Sequence, residues 1–242
     1  MPIHNKLSNK KTNNKNKKNE IKKKKHTPFY EKCNKCYFFP EKEGVDRNKL
    51  MLAKDSRFSV TLPCDSANIA EITIKIWQEN HGKRKKPIIT DATANVGGNT
   101  IGFGLNSKFK LVNSIEINPE TCNGCLLNNI KEYGLDKKVN VIQGDSIELL
   151  SKKEVNQDII FFDPPWGGVG YKKNKIIPLY LSNKNMVDII NSMKGKAKMI
   201  VYKIPRNYDF GYFYRKLTFS SEIRLFKEFR GFYILTMMSN NN

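Results

Sequence analysis

The chain has 242 residues, an ordinary hydrophobic content of 39% and a formal net charge of +20. That allows one medium-sized domain with a buried core plus extensions, and no apolar stretch is long enough for a transmembrane span or a secretory signal. We expect a monomer inside the cell, in nucleus or cytoplasm, with a polyanionic partner, of which nucleic acid is the usual one. Lys, Asn and Ile are abundant throughout, as an AT-rich genome would also produce. The charge alone therefore does not separate RNA from DNA.

Met1 to Lys25 holds ten lysines and one glutamate, +9 of the total, without apolar periodicity. Residues 1–28 read as a disordered basic tail. Residues 29–80 read as a small helical extension that contributes to the active site. Within it, Cys33 to Lys54 is polar and partly helical around the aromatic knot Tyr37-Phe38-Phe39. Asp65 to Asn80 is ambiguous, since Ile69, Ile72 and Ile76 have helical spacing while Ile72, Ile74 and Ile76 suit a strand. His81 to Lys86 is a charged loop closed by Pro87.

From residue 81 to 239, strand and helix signals alternate. Ile88-Ile89 leads to Asp91, and a Gly-rich loop opens a segment from Asn99 to about Ser107. Leu111 to Ile117 is a second strand, and a helix follows Asn118-Pro119 as far as Tyr133 and Gly134. Val139 to Ile142 is a third strand ended by Gly144-Asp145, followed by a helical turn at Ile147 to Leu150. Asp158 to Phe162 is a fourth strand, buried by its composition. A helix lies around Lys184 to Met193 and a fifth strand spans Met199 to Tyr202. Ser221 to Phe226 and Gly231 to Met237 form a closing hairpin. The order predicts an α/β fold with a mostly parallel, doubly wound sheet and an antiparallel terminal hairpin.

Two loops carry chemistry. The first runs from Asp91 through Gly97-Gly98-Asn99-Thr100, with small residues that let a ligand approach and helix N–H groups that can face it. It lacks the G-x-G-x-x-G dinucleotide fingerprint, and an aspartate at the strand end would repel a pyrophosphate. A ligand with an amino group and a sulfonium, such as S-adenosylmethionine, suits it better. Glu116 ends the second strand, where Rossmann folds place a carboxylate on ribose hydroxyls. Asp145 ends the third, where an adenine amino group could be held. Three acids at three successive strand ends, beside one Gly loop, point to a site.

The second loop is Asp163-Pro164-Pro165-Trp166-Gly167-Gly168. An acid, two prolines and an aromatic after a buried strand suit methylation of an exocyclic base amine, a weak nucleophile whose N–H groups need acceptors. Asp163 and the carbonyl of Pro164 supply acceptors, the prolines remove competing donors, and Trp166 offers a stacking face. The bland alternative is a Pro-rich turn. Cysteines fall at Cys33/Cys36, Cys64 and Cys122/Cys125. Two distant CxxC pairs, one inside a helix, suit free thiols better than zinc, so no metal is expected.

These residues resemble the trimethylguanosine synthases, which methylate N2 of the guanine in a 7-methylguanosine RNA cap. The family's D-A-F-C-G-V-G-G-N-T-I is similar to Asp91-Ala92 and Val96-Gly97-Gly98-Asn99-Thr100-Ile101. Its I-D-I-D-P is similar to Ile115-Glu116-Ile117-Asn118-Pro119, and its C-G-D to Gly144-Asp145. Its S-P-P-W-G-G is similar to Pro164-Pro165-Trp166-Gly167-Gly168. Upstream, F-S-V-T matches Phe58-Ser59-Val60-Thr61, and the late P-R-N matches Pro205-Arg206-Asn207. The resemblance spans roughly Asp55 to Asn207 and implies a Rossmann-like class I methyltransferase fold. It implies S-adenosylmethionine contacts at Thr61, Asp91, Asn99, Thr100, Glu116 and Asp145. It implies cap contacts to 7-methylguanosine-capped RNA at Trp166 and Arg206. With these we expect catalysis and amine orientation at Asp163, Pro164 and Pro165, and substrate binding at Asn207 as well. A 7-methylguanine is cationic, and an indole face attracts a cation by up to ~2 kcal/mol when desolvated. Arg206 suits a cap phosphate.

Three positions depart from the family. Asn95 replaces a Gly and tolerates a left-handed backbone, and Ala94 replaces a Cys. Asp163 replaces a Ser, giving the D-P-P-W also seen in adenine-N6 methyltransferases. The acceptor and the number of methyl transfers stay open on these residues. The rival readings are another RNA amino-methyltransferase (tRNA or rRNA guanine-N2, or adenine-N6) and a non-catalytic RNA-binding protein on the same fold.

Overall fold

The computed structural model describes residues 30–32, 37–220 and 222–239. The basic tail and the Cys33/Cys36 pair lie outside the described residues. Strand β6 (Ile159–Phe162) is apolar at every position and buried at every position. Such a strand needs cover on both faces and belongs in the middle of a parallel sheet. It lies there, in a seven-stranded sheet of order β10-β11-β9-β6-β3-β4-β5. The other members are β3 (Ile88–Asp91), β4 (Leu111–Glu116), β5 (Val139–Gln143), β9 (Met199–Pro205), β10 (Glu222–Phe226) and β11 (Phe232–Met238). Strands β3 to β6 and β9 run parallel, while β11 inserts antiparallel between β9 and β10. The chain reverses its direction of travel across the sheet between β3 and β6, the place where open α/β sheets bind ligands.

Period-two alternation sorts the strand residues onto two faces. Ile159, Phe161, Met199 and Val201 enter one core with α1 (Pro63–His81), α2 (Gly98–Leu105) and a helical rod. The rod consists of α3 (Pro119–Thr121), a π-helical turn (Cys122–Leu126) and α4 (Leu127–Glu132). Ile160, Phe162, Ile200 and Tyr202 enter the other core with α5 (Ser146–Ser151), α6 (Met186–Ser192) and α7 (Phe210–Lys216).

The ambiguous Asp65–Asn80 segment is helical. Pro63 opens α1, and the buried residues Ser66, Ile69, Ala70, Thr73, Ile74 and Trp77 recur every three or four positions. Ile72 is only half-buried because it lies at the edge of that stripe. Helix α1 crosses α2 closely: a Cβ on Gly102 would lie 2.0 Å from Ser66 Oγ.

Other segments differ from the sequence reading. The stretch before α1 holds a short antiparallel pair, β1 (Tyr30–Lys32) with β2 (Met51–Ala53), and 3-10 turns rather than a helix. The cause is non-local. The side chain of buried Asn129 accepts from Met51 N and donates to Met51 O, both at 2.8 Å, so it pairs with Met51 as a strand would. Two elements are additional: α7, and a hairpin of β7 (Tyr180–Leu181) and β8 (Lys184–Asn185) whose turn residues Ser182 and Asn183 are left-handed. Asn185 caps α6, which starts at Met186 rather than near Lys184. Cys122 and Cys125 are buried free thiols in the π-helical turn, and burial pushes Cys125 up to about 11.

Candidate active site

All the sequence-predicted strand-end acids lie along the carboxyl edge of the parallel strands. Asp91 ends β3, with no exposed surface. Its Oδ2 accepts from Thr100 Oγ1 at 2.7 Å and its Oδ1 from Thr93 N at 3.3 Å. Burial raises its carboxyl to about 7 against those hydrogen bonds, and the nearby Asp163 and Glu116 charges push the same way. Thr100, equally sealed, also lies 2.8 Å from Ser114 Oγ. Both side chains therefore brace the Gly-rich loop.

Glu116 is half-buried and accepts two backbone N–H groups, Asn95 N and Asn118 N, each at 2.8 Å. Burial raises its carboxyl while those donors lower it. A carboxylate has about four acceptor directions, so it retains capacity for hydroxyl donors. Asn95 adopts φ 52°, the left-handed backbone that its side chain tolerates where the family has Gly. Asp145 caps α5 through Ile147 N at 2.8 Å and accepts from Ser182 Oγ at 2.7 Å, which brings the β7–β8 turn over the end of β5.

Asn99 lies in the first turn of α2, and its Oδ1 is buried without a hydrogen-bond partner. A buried acceptor left unpaired is costly, and such atoms mark places where a ligand donor completes the set. Gly98 allows the segment before α1 to close on this loop: a Cβ there would meet Val60 Cγ1 at 2.9 Å and Thr61 O at 3.3 Å. That contact sets Thr61 beside the site from a distant part of the sequence. An acceptor-lined loop with three carboxylates fits S-adenosylmethionine, which offers an amino group, ribose hydroxyls and a sulfonium.

The second loop emerges from β6. Asp163 N donates to Thr93 Oγ1 at 2.8 Å, which ties the two loops together. Asp163 Oδ2 accepts from Lys203 Nζ at 2.7 Å, and both side chains are nearly enclosed, 12% and 6% exposed. Lys203 also donates to Thr61 Oγ1 at 2.7 Å. Burial raises the Asp163 carboxyl, and the Lys203 ammonium opposes that. Pro164 is buried and Pro165 exposed. Trp166 is half-buried, edge-on to Tyr171 with centroids 5.2 Å apart, and its Nε1 is buried without a partner.

A sequence profile of the RNA cap guanine-N2 methyltransferase family matches residues 86–227, more than half of the chain. The chain belongs to that family. Among curated proteins, it is 27% identical to the trimethylguanosine synthase of Saccharomyces cerevisiae over 173 residues, covering 68% of this chain and 51% of the relative. It is 32% identical to the trimethylguanosine synthase of Schizosaccharomyces pombe over 127 residues, 50% of this chain and 52% of the relative. An uncharacterised protein of Acanthamoeba polyphaga mimivirus is 41% identical over 143 residues, 56% and 52% of the two chains. The chain thus spans about half the length of these relatives. Among solved structures, a Porphyromonas gingivalis W83 protein assigned as a methyltransferase superposes with a TM-score of 0.54 at 17% identity, covering 78% of this chain and 43% of that one. At that identity the likeness shows the fold, which is the Rossmann-like methyltransferase fold expected from the sequence.

The remaining sequence candidates are spread along the rim. Arg206 is exposed, with Nη2 donating to Phe229 O at 3.2 Å and its guanidinium 5.7 Å from the Tyr233 ring centroid. The Asn207 amide donates to Tyr171 O at 3.0 Å and Asn174 O at 2.8 Å. Its two N–H groups are thereby taken up in holding the loop behind Trp166. Lys203 escaped the sequence reading, which ended the strand at Tyr202. The available signal was parity: Met199, Val201 and Lys203 share one face of a strand whose seven residues are all buried. Among the described residues, no three of His, Cys, Asp and Glu cluster as metal ligands would, and no helix is long and apolar enough to cross a membrane.

Proposed function

We propose that this chain transfers one or two methyl groups from S-adenosylmethionine to N2 of a 7-methylguanosine RNA cap. The observation that carries the reading is Asp163-Pro164-Pro165-Trp166 at the end of β6, beside the Gly-rich loop, in a chain matched over 86–227 by the cap guanine-N2 family. Glu116 would hold the ribose hydroxyls, Asp145 the adenine amino group and Asn99 a donor at the loop. S-adenosylmethionine supplies a methyl group on a positively charged sulfur, and the chain's task is to align the amine with it. Trp166 stacks the cationic base, Asp163 and the Pro164 carbonyl accept from the amine, and Arg206 takes a cap phosphate. No strong base is needed before attack, because the amine can release its proton afterwards. In the same reading the chain works as a monomer on capped RNA in nucleus or cytoplasm.

The aspartate at 163 favours one second reading, a methyltransferase acting on another RNA amino group such as adenine N6. Methyl transfer to m7GTP and to GTP separates the two. The proposal expects a large preference for m7GTP. Equal rates on both nucleotides would overturn it.

A further inference from the structure

Lys203 lies in a strand without a single exposed residue, and lysines are almost never enclosed unless paired. Its three ammonium donors meet Asp163 Oδ2, Thr61 Oγ1 and a pair of aromatic faces, Trp166 at 5.2 Å and Phe232 at 4.8 Å from the ring centroids. The sheet itself produces this meeting. Strands β6 and β9 pair Phe162 with Tyr202, so the next residues, Asp163 just past the end of β6 and Lys203 still within β9, lie level with one another. They continue the face of Phe161 and Val201, toward α1 and the Gly-rich loop.

We propose that Lys203 is a positioning residue for the acceptor: it grips Asp163 by Oδ2 and so aims the rest of that carboxylate at the amine held beside Trp166. The proposal rests on the acceptor site assigned above. Because the ammonium lies against the Trp166 ring, one stretch of indole surface is already taken, and the base stacks elsewhere on it. The pair carries no net charge, so a cationic base meets a compensated pocket rather than a bare anion. Removing either partner leaves an uncompensated buried charge, whereas neutralising both does not. The other charged groups facing the pair are Asp91 from β3, whose buried carboxyl the Asp163 charge helps to raise, and Asp65 in the first turn of α1, whose carboxyl burial raises and Lys203 lowers. Thr61 and Asn99 add neutral hydrogen bonds to Asp163.

The test compares Lys203→Met, Asp163→Asn and the double variant, using the full chain. Three quantities are read: the pH profile of kcat/KM on m7GTP, the S-adenosylmethionine Kd, and the side-chain titration of Asp163 by 13C NMR. Without its cation a buried carboxylate takes up a proton more readily. In Lys203→Met the acidic limb should move up by about one pH unit or more, a shift on the scale set by a close opposite charge. Activity near neutrality should fall about tenfold and recover at higher pH, with the S-adenosylmethionine Kd changed by less than about threefold. The double variant should be at least about tenfold more active than the product of the single losses. An unmoved limb, or single losses that simply multiply, overturns the proposal. If Lys203→Met does not fold, the double variant, which buries no unpaired charge, still decides by its ratio to Asp163→Asn. If wild type methylates another acceptor instead of m7GTP, the acceptor assignment fails, and the same limb and NMR titration judge Lys203 on that acceptor.

Discussion

The two halves of the site are held together by different forces. In the half built on β3, β4 and β5, each carboxylate is held by neutral donors, most of them close in sequence: Thr93 and Thr100 on Asp91, Asn118 on Glu116 and Ile147 on Asp145, joined from farther off by Asn95 on Glu116 and Ser182 on Asp145. In the half built on β6 and β9, the carboxylate of Asp163 is held by a buried cation forty residues away, which also binds Thr61 across 142 residues of sequence. Neutral donors leave the first half anionic and suited to a cationic ligand. The ion pair leaves the second half balanced and directional. The site thus separates into a part that attracts and a part that aims.

That separation can be broken from either side. Trp166→Ala should remove the stacking face of the second half, worth ~1–3 kcal/mol per base, and lower kcat/KM on m7GTP by up to about a hundredfold. Calorimetry should find S-adenosylmethionine binding nearly unchanged. An equally severe loss of that binding would mean the halves are not separable. Glu116→Ala is the converse. Losing hydrogen bonds to a charged acceptor costs on the order of 1.5–3 kcal/mol, so the S-adenosylmethionine Kd should rise about ten- to a hundredfold. An unchanged Kd removes Glu116 from the first half.

Asp91 sharpens the comparison through pH. Its carboxyl titrates at about 7 in the folded chain against an ordinary 3.8. Below 3.8 folded and unfolded forms are both protonated. Between the two values the unfolded chain loses its proton first, so stability falls as pH rises to about 7 and levels off above it. A cationic ligand favours the ionised form, so S-adenosylmethionine affinity should rise through pH 7 with release of a proton. Asp91→Asn should flatten both curves, measured by thermal unfolding and by calorimetry in buffers of different ionisation heat. A slope that persists in the variant assigns the proton elsewhere. The smallest effect concerns the N-terminal lysines. Deleting residues 1–25 should leave rates on m7GTP unchanged while flattening the salt dependence of capped-RNA affinity, because lysines neutralise phosphates without regard to sequence. Identical salt slopes would remove them from RNA binding.

The first half of the site was legible because most of its contacts are local. A strand, an acid at its end and a loop of small residues suffice to place Asp91, Glu116 and Asp145 on one edge of a parallel sheet, and the alternation of elements gave that sheet. The burial of Asp91 and Thr100 was not legible, since it depends on how tightly the loop closes over them. Lys203 was hidden for a different reason. Its meeting with Asp163 follows from the register of β6 against β9, and register between strands far apart in sequence is set by packing. Asn129 pairing with Met51, and Ser182 reaching Asp145 from the β7–β8 turn, are of the same kind.

The central claim is the acceptor atom. Incubation of the full chain with S-adenosylmethionine labelled in its methyl group and with m7G-capped or uncapped RNA of one sequence, followed by nucleoside analysis, reads it directly. The account predicts label only with capped RNA, in 2,7-dimethylguanosine or 2,2,7-trimethylguanosine. Label in internal adenosine or guanosine, at equal rates on both RNAs, would contradict it.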